Sequence, residues 1–171
     1  MDLISESYKK LNEELHQTKP SYGAGGYKDA KVVKRLIKQY QCADVLDYGC
    51  GKATLSRSLG WFAPKVYNYD PAIPEYSVSP VPADLVVCTD VLEHLEPEYL
   101  GNVLDNLRDM TKKVLYLSVA TRPAKKVLSD GRNAHLIQEP AEWWLPLLRQ
   151  RFTLKEFWGD AGDLYIVAIK K

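Results

Sequence analysis

The chain has 171 residues and a formal net charge of +1, which is length for one domain with a real core and removes any argument for a broad nucleic-acid or membrane-binding surface. No stretch approaches the roughly 18 apolar residues that a membrane helix needs. The three cysteines (Cys42, Cys50, Cys88) are odd in number and form no CxxC pair, which argues against a disulfide framework or a cysteine zinc site; with an acidic N-terminus in place of a signal-peptide pattern, they predict a cytoplasmic protein.

Residues 2–18 place Leu3, Tyr8, Leu11 and Leu15 at amphipathic helical spacing, ended before Pro20. Ser21 to Gly26 is a glycine-rich turn, and Tyr27 to Tyr40 carries a second helical stripe. Ala43 to Tyr48 reads as a short buried strand that runs straight into Gly49-Cys50-Gly51-Lys52-Ala53. A short helix is expected over Thr54–Leu59, stopping around Gly60 and Pro64, before a second strand over Lys65–Tyr69 that ends at Asp70. Pro71 to Pro82 holds four prolines, at 71, 74, 80 and 82, and excludes a helix of any length. Leu85 to Cys88 is a third strand, Tyr99 to Met110 a helix, and Val114 to Ala120 a fourth strand.

A polar connection over Thr121–Gln138 follows. Pro140 to Arg151 reads as a helix that Pro146 should kink or shorten. Two strands, Phe152–Trp158 and Leu164–Ile169, close the chain as a hairpin. Strands alternating with helices and then a terminal hairpin predict a mainly parallel α/β sheet with an antiparallel edge and helices on both faces. One domain is expected over residues 1–171, with residues 1–40 as N-terminal helices and lid ahead of an α/β core over 43–171.

The chemistry concentrates at Val45-Leu46-Asp47-Tyr48-Gly49-Cys50-Gly51. A buried strand enters a tight turn, and Gly49 and Gly51 remove side chains where a ligand can lie against the backbone. Asp70 ends the next strand about twenty residues later, the spacing at which a carboxylate accepts the hydroxyls of a ribose.

This strand–Gly-x-Gly–acid pattern, together with Asp84-Leu85-Val86-Val87-Cys88-Thr89-Asp90-Val91-Leu92-Glu93-His94 and the later His135-Leu136 before Trp143-Trp144 and Phe152-Thr153-Leu154, resembles the class I S-adenosylmethionine-dependent methyltransferases. The resemblance implies a Rossmann-like fold and S-adenosylmethionine as cofactor. It puts Asp47, Gly49, Cys50 and Gly51 at the cofactor's amino-acid end and Asp70 on its ribose, with Pro71, Asp90 and Val91 beside it. Tyr22, Tyr27 or Lys28, in or just after the glycine-rich lid, is expected at its carboxylate end. Two departures stand out. Ala53 replaces the usual third glycine, and the passage from Asp70 to Asp84 leaves no room for the family's third strand and adenine loop. Backbone near Pro71, Ala72 and Ile73, with Ala83 and Asp84, is the expected adenine contact.

Loops at the carboxyl ends of parallel strands hold ligands, so the 121–138 connection supplies the acceptor side. His135 is the candidate proton acceptor, since an imidazole accepts a proton near neutrality. Arg132, Asn133 and His94 are candidate substrate contacts. No metal is assigned, although Asp90, Glu93, His94 and His135 combine ligand types and loosely resemble the Glu-x-x-Glu-His run of metal-dependent small-RNA 2′-O-methyltransferases. The expected function is methyl transfer to a small polar metabolite rather than to nucleic acid. The alternatives are such a metal-dependent RNA 2′-O-methyltransferase, or a non-catalytic module that only binds S-adenosylmethionine.

Overall fold

The computed structural model describes residues 2–62 and 65–171; Pro64, expected to help end the short helix, lies outside them. Val45–Tyr48 forms strand β1, all four residues buried, as a strand covered on both faces requires. Val66–Tyr69 (β2) and Ala83–Thr89 (β3) pair with it in parallel, and Thr111–Ala120 (β4) pairs in parallel with β3. Phe152–Asp160 (β5) and Asp163–Lys170 (β6) form the hairpin, and β6 runs antiparallel to β4. Among the described residues these make one six-stranded sheet in the order β2-β1-β3-β4-β6-β5. The hairpin turn uses Ala161 and Gly162 at φ +51° and +86°, the left-handed pair that matches strand twist.

The period-2 alternation of the strands separates two cores. Leu46, Tyr48, Val86, Cys88, Leu115 and Leu117 pack against helices Leu100–Met110 (α4) and Ala141–Arg151 (α5). Their neighbours Val45, Leu85, Val87, Val114 and Tyr116 face helices Ala30–Gln39 (α2) and Thr54–Leu59 (α3). The N-terminal helix, Glu6–Thr18 (α1), stands apart from both and packs Tyr8 and Leu15 on Leu128 and Ala134 of the 121–138 connection.

Several expectations change. Helix α1 begins at Glu6 because Ser5 caps it, its hydroxyl accepting from the Tyr8 N–H at 3.1 Å. The stripe over Tyr27–Tyr40 divides into a 3₁₀ turn, Gly26–Asp29, and α2. Helix α5 is not shortened at Pro146. Pro146 and Glu142 both lie on its exposed side, where water can take the carbonyl that loses its N–H partner, while Trp144 and Leu148 anchor the other side in the core. Residues 71–82 hold one 3₁₀ turn, Pro74–Tyr76, and no strand, so the sheet stops at β2 as the prolines required. No helix among the described residues is long and apolar enough to cross a membrane.

Candidate active site

A cavity of about 570 Å³ opens at the carboxyl ends of β1 to β4, where open α/β sheets place ligands. Its floor is the turn after β1. Gly49 and Gly51 sit at φ +75° and +51°, a region that suits glycine. Their bare backbones first admit protein: a Cβ on Gly49 would lie 2.3 Å from Val91 Cγ2, and one on Gly51 would lie 2.4 Å from the Gly23 carbonyl oxygen. The glycine-rich segment before the first core helix is thus seated on the turn, with Lys52 N–H donating to Gly23 O at 2.8 Å. Ala53 is buried and also left-handed, at φ +51°, so its small size does serve close packing.

Four acids line the cavity: Asp47, Asp70, Asp90 and Glu93. Asp47 is buried, with Oδ2 lacking a partner among the described residues, and burial followed by the charges of Asp70 and Asp29 pushes its carboxyl up to about 7. Asp70 accepts from Gly51 N–H through Oδ2 and from Ala72 N–H through Oδ1, both at 3.0 Å; burial still raises it. Asp90, at φ +55°, donates its N–H to Ser118, and burial raises its carboxyl as well. Glu93 accepts from Ala120 N–H at 2.9 Å while Oε2 has no partner among the described residues, and burial then Asp90 push it up to about 8.

His94 and His135 meet edge to face across the cavity wall, ring centroids 4.7 Å apart. Nδ1 of His135 lies 2.6 Å from the Arg122 carbonyl and Nδ1 of His94 lies 2.7 Å from the Ala134 carbonyl, so each Nδ1 carries the donated proton and each Nε2 keeps its lone pair. Burial lowers His94 to about 3. Cys50, Pro71, Val91, Tyr22 and Lys28 also line the cavity. Burial pushes the Cys50 thiol far up, which leaves it an inert filler. Tyr22 gives its hydroxyl proton to Asn12 Oδ1 at 2.8 Å.

Other residues that the sequence put forward do not reach this space. Arg132 turns outward, paired with Asp130 at 2.7 Å and stacked 5.5 Å over Tyr8. Asn133 spends its amide inside the loop, accepting from Ala124 and His135 N–H and donating to Ala124 O, so it positions His135. Ala83 and Asp84 begin β3 at the far end of the sheet, where Asp84 binds Ala43 N–H and Lys113, and of that adenine group Pro71 and Ala72 line the cavity. In the place of Arg132 the same connection brings Arg122, Lys125 and Lys126 to the wall. Helix α1 and the residues just ahead of it contribute residues that the motifs did not point to: Ile4 before the helix, then Tyr8, Asn12 and His16 within it, follow one another along the cavity. Their spacing of four was the available signal, obscured because two of them are polar.

The methyltransferase domain family matches residues 16–162. The chain belongs to this family. It is an S-adenosylmethionine-dependent methyltransferase of Rossmann-like fold, as the strand–Gly-x-Gly–acid pattern implied. A solved N1-methyltransferase of 1,6-didemethyltoxoflavin from Burkholderia thailandensis, with bound S-adenosylhomocysteine, is similar to the methyltransferase at TM-score 0.69 and 15% identity, covering 100% of this chain and 92% of that one. The magnesium protoporphyrin IX methyltransferase of Synechocystis PCC 6803, also with bound S-adenosylhomocysteine, superposes at TM-score 0.70 and 15% identity over 96% of this chain and 100% of that one. No curated protein matches the methyltransferase in sequence.

Proposed function

We propose that the methyltransferase acts on a small polar acceptor, whose proton is taken by His135. The observation that carries this is the tautomer of His135: with Nδ1–H donated to Arg122 O at 2.6 Å, Nε2 is the basic nitrogen of a ring that lines the cavity. S-adenosylmethionine supplies a methyl group made electrophilic by its sulfonium, so the protein has to position and to accept a proton.

The wall fits such a cofactor. Oδ2 of Asp47, without a partner among the described residues and near Asp70, can accept from the ammonium of such a ligand, while Lys28 on the same wall can meet its carboxylate. In this reading Asp47, Gly49, Cys50 and Gly51 hold the amino-acid end, with Tyr22 and Lys28 above it. Asp70 takes the ribose, Pro71 and Ala72 flank the adenine, and Asp90 with Val91 border the reacting centre next to His94 and His135. The small acceptors named for the two similar enzymes, didemethyltoxoflavin and magnesium protoporphyrin IX, support the substrate class.

The test pairs two measurements on folded His135→Ala: affinity for S-adenosylhomocysteine by calorimetry, and turnover by its release from S-adenosylmethionine with an accepted substrate. Turnover is expected to fall about 100-fold, the scale of general base catalysis, with affinity unchanged. Wild-type turnover would leave His135 a structural loop residue, and wild-type protein that releases no product across a broad acceptor screen would point to a non-catalytic binding module.

One observation favours a second, metal-assisted reading. Glu93, His94 and His135 each bring a ligand atom within 4.8 Å of the others, and both rings are oriented by backbone carbonyls as metal-bound imidazoles are. A divalent ion there would polarise an acceptor oxygen and remove His135 from proton transfer. Turnover abolished by a chelator and restored by Zn²⁺, Mn²⁺ or Co²⁺ selects this reading; turnover indifferent to chelation discards it.

A further inference from the structure

His16 occupies the cavity wall opposite the acid that ends β2, on the fourth position of the α1 stripe. Its side chain is 11% exposed, and its Nε2 lies 4.0 Å from Asp70 Oδ2. The ring is bounded on two sides, and its backbone is tied down as well. It packs on Tyr22 with centroids 4.6 Å apart, and Lys52 Nζ donates to the His16 backbone carbonyl at 3.3 Å. Gly23 makes room for it, since a Cβ there would lie 2.6 Å from His16 Cε1.

Burial lowers the affinity of this imidazole for a second proton more than Asp70 raises it, so the ring is neutral with one N–H. Nδ1 is buried with no partner among the described residues. An N–H is rarely buried without an acceptor, whereas a lone pair tolerates it better, so the proton sits on Nε2. At 4.0 Å, Nε2–H and the carboxylate are too far apart for a hydrogen bond. A hydroxyl placed about 2.8 Å from each would complete both.

We propose that His16 and Asp70 share one ribose hydroxyl of the cofactor, the hydroxyl donating to Asp70 Oδ2 and accepting from His16 Nε2–H. This rests on the cofactor reading of Asp70, and it makes α1 a working wall of the cofactor site. His16 is then a binding residue contributed by a helix outside the sheet.

The test uses calorimetry of the full chain with S-adenosylhomocysteine and with its analogues lacking the 2′ or the 3′ hydroxyl, so no acceptor is needed. In wild type, loss of the shared hydroxyl weakens binding. His16→Phe keeps the ring and loses the N–H; it is expected to bind the parent about 3- to 10-fold more weakly, the scale of one hydrogen bond. The decisive result is coupling: the analogue without the shared hydroxyl loses less in His16→Phe than in wild type. His16→Gln, which keeps an amide donor, gives a second variant should the phenylalanine protein not fold, and is expected to recover part of the parent affinity. Equal penalties in variant and wild type for both analogues would overturn the proposal and leave His16 a packing residue. Asp70→Asn separates the two levels. If it changes no affinity, the cofactor reading itself fails; if it weakens binding while His16→Phe does not, only the shared hydroxyl falls.

Discussion

Oδ2 of Asp47 has no hydrogen-bond partner among the described residues, and its folded value of about 7 stands above the ordinary value of about 3.9 in an unfolded chain. Between those values the folded protein holds the extra proton. The stability from this group is therefore complete below about pH 4 and is lost as pH rises through 7, with a slope of about 1.4 kcal/mol per pH unit inside that window. Asp47→Asn is expected to remove one proton's worth of slope from urea-unfolding free energies measured between pH 5 and 7. An unchanged slope would mean that Asp47 ionises freely in the folded chain. The residues of the Gly-x-Gly turn and its acids were legible because their chemistry is local: two glycines one residue apart, and a strand-end acid at fixed spacing. Arg132, Asn133 and His16 were not, because their roles depend on partners remote in sequence or on which way a loop turns. Arg132 lost its expected role to Asp130, two positions away, and His16 gained a place in the wall from Asp70, which only the fold brings near.

Lid and turn behave as one element through the contact of Gly23 with Gly51. Gly51→Ala meets two costs, a side chain at φ +51° and a Cβ 2.4 Å from the Gly23 carbonyl oxygen. Gly131→Ala provides the comparison, since it sits at φ +90° with nothing within 4 Å and suffers only the backbone cost, about 1 kcal/mol. Gly51→Ala is expected to destabilise the protein more than Gly131→Ala does, and to accelerate amide hydrogen exchange in residues 19–25 while leaving β3 protected. Equal exchange in the two variants would show that the lid is not held by the turn. At this scale the strands were read correctly because Leu46, Val86 and Leu115 lie in short apolar runs, and the missing strand over 71–82 because prolines forbid it. The start of α1 depended on the Ser5 cap, and the continuity of α5 on which side of the helix Pro146 occupies. Periodicity alone carries neither.

For the whole molecule, a ligand bound only by the folded chain raises its stability by about 2.7 kcal/mol at 100 times its dissociation constant. In a chain of 171 residues that corresponds to roughly 5–10 °C in melting temperature. S-adenosylhomocysteine is expected to produce this shift in calorimetric scans of wild type, and a smaller one at the same concentration in Asp70→Asn. A melting temperature that does not move would contradict a cofactor cavity formed only on folding.

Ending the sheet at β2 also determines how molecules meet one another. An edge strand carries unpaired N–H and C=O groups on which a second chain can template. Here that edge is four residues long, with Lys65 folded 4.6 Å over the Tyr67 ring at its start and Pro71 and Pro74 just beyond its end. The opposite edge, β5, is longer but breaks register between Leu154 and Glu156, and carries Lys155, Glu156 and Asp160. The proline-rich passage that ends the sheet thus also leaves the rim at β2 short, with little backbone on which a second chain could pair.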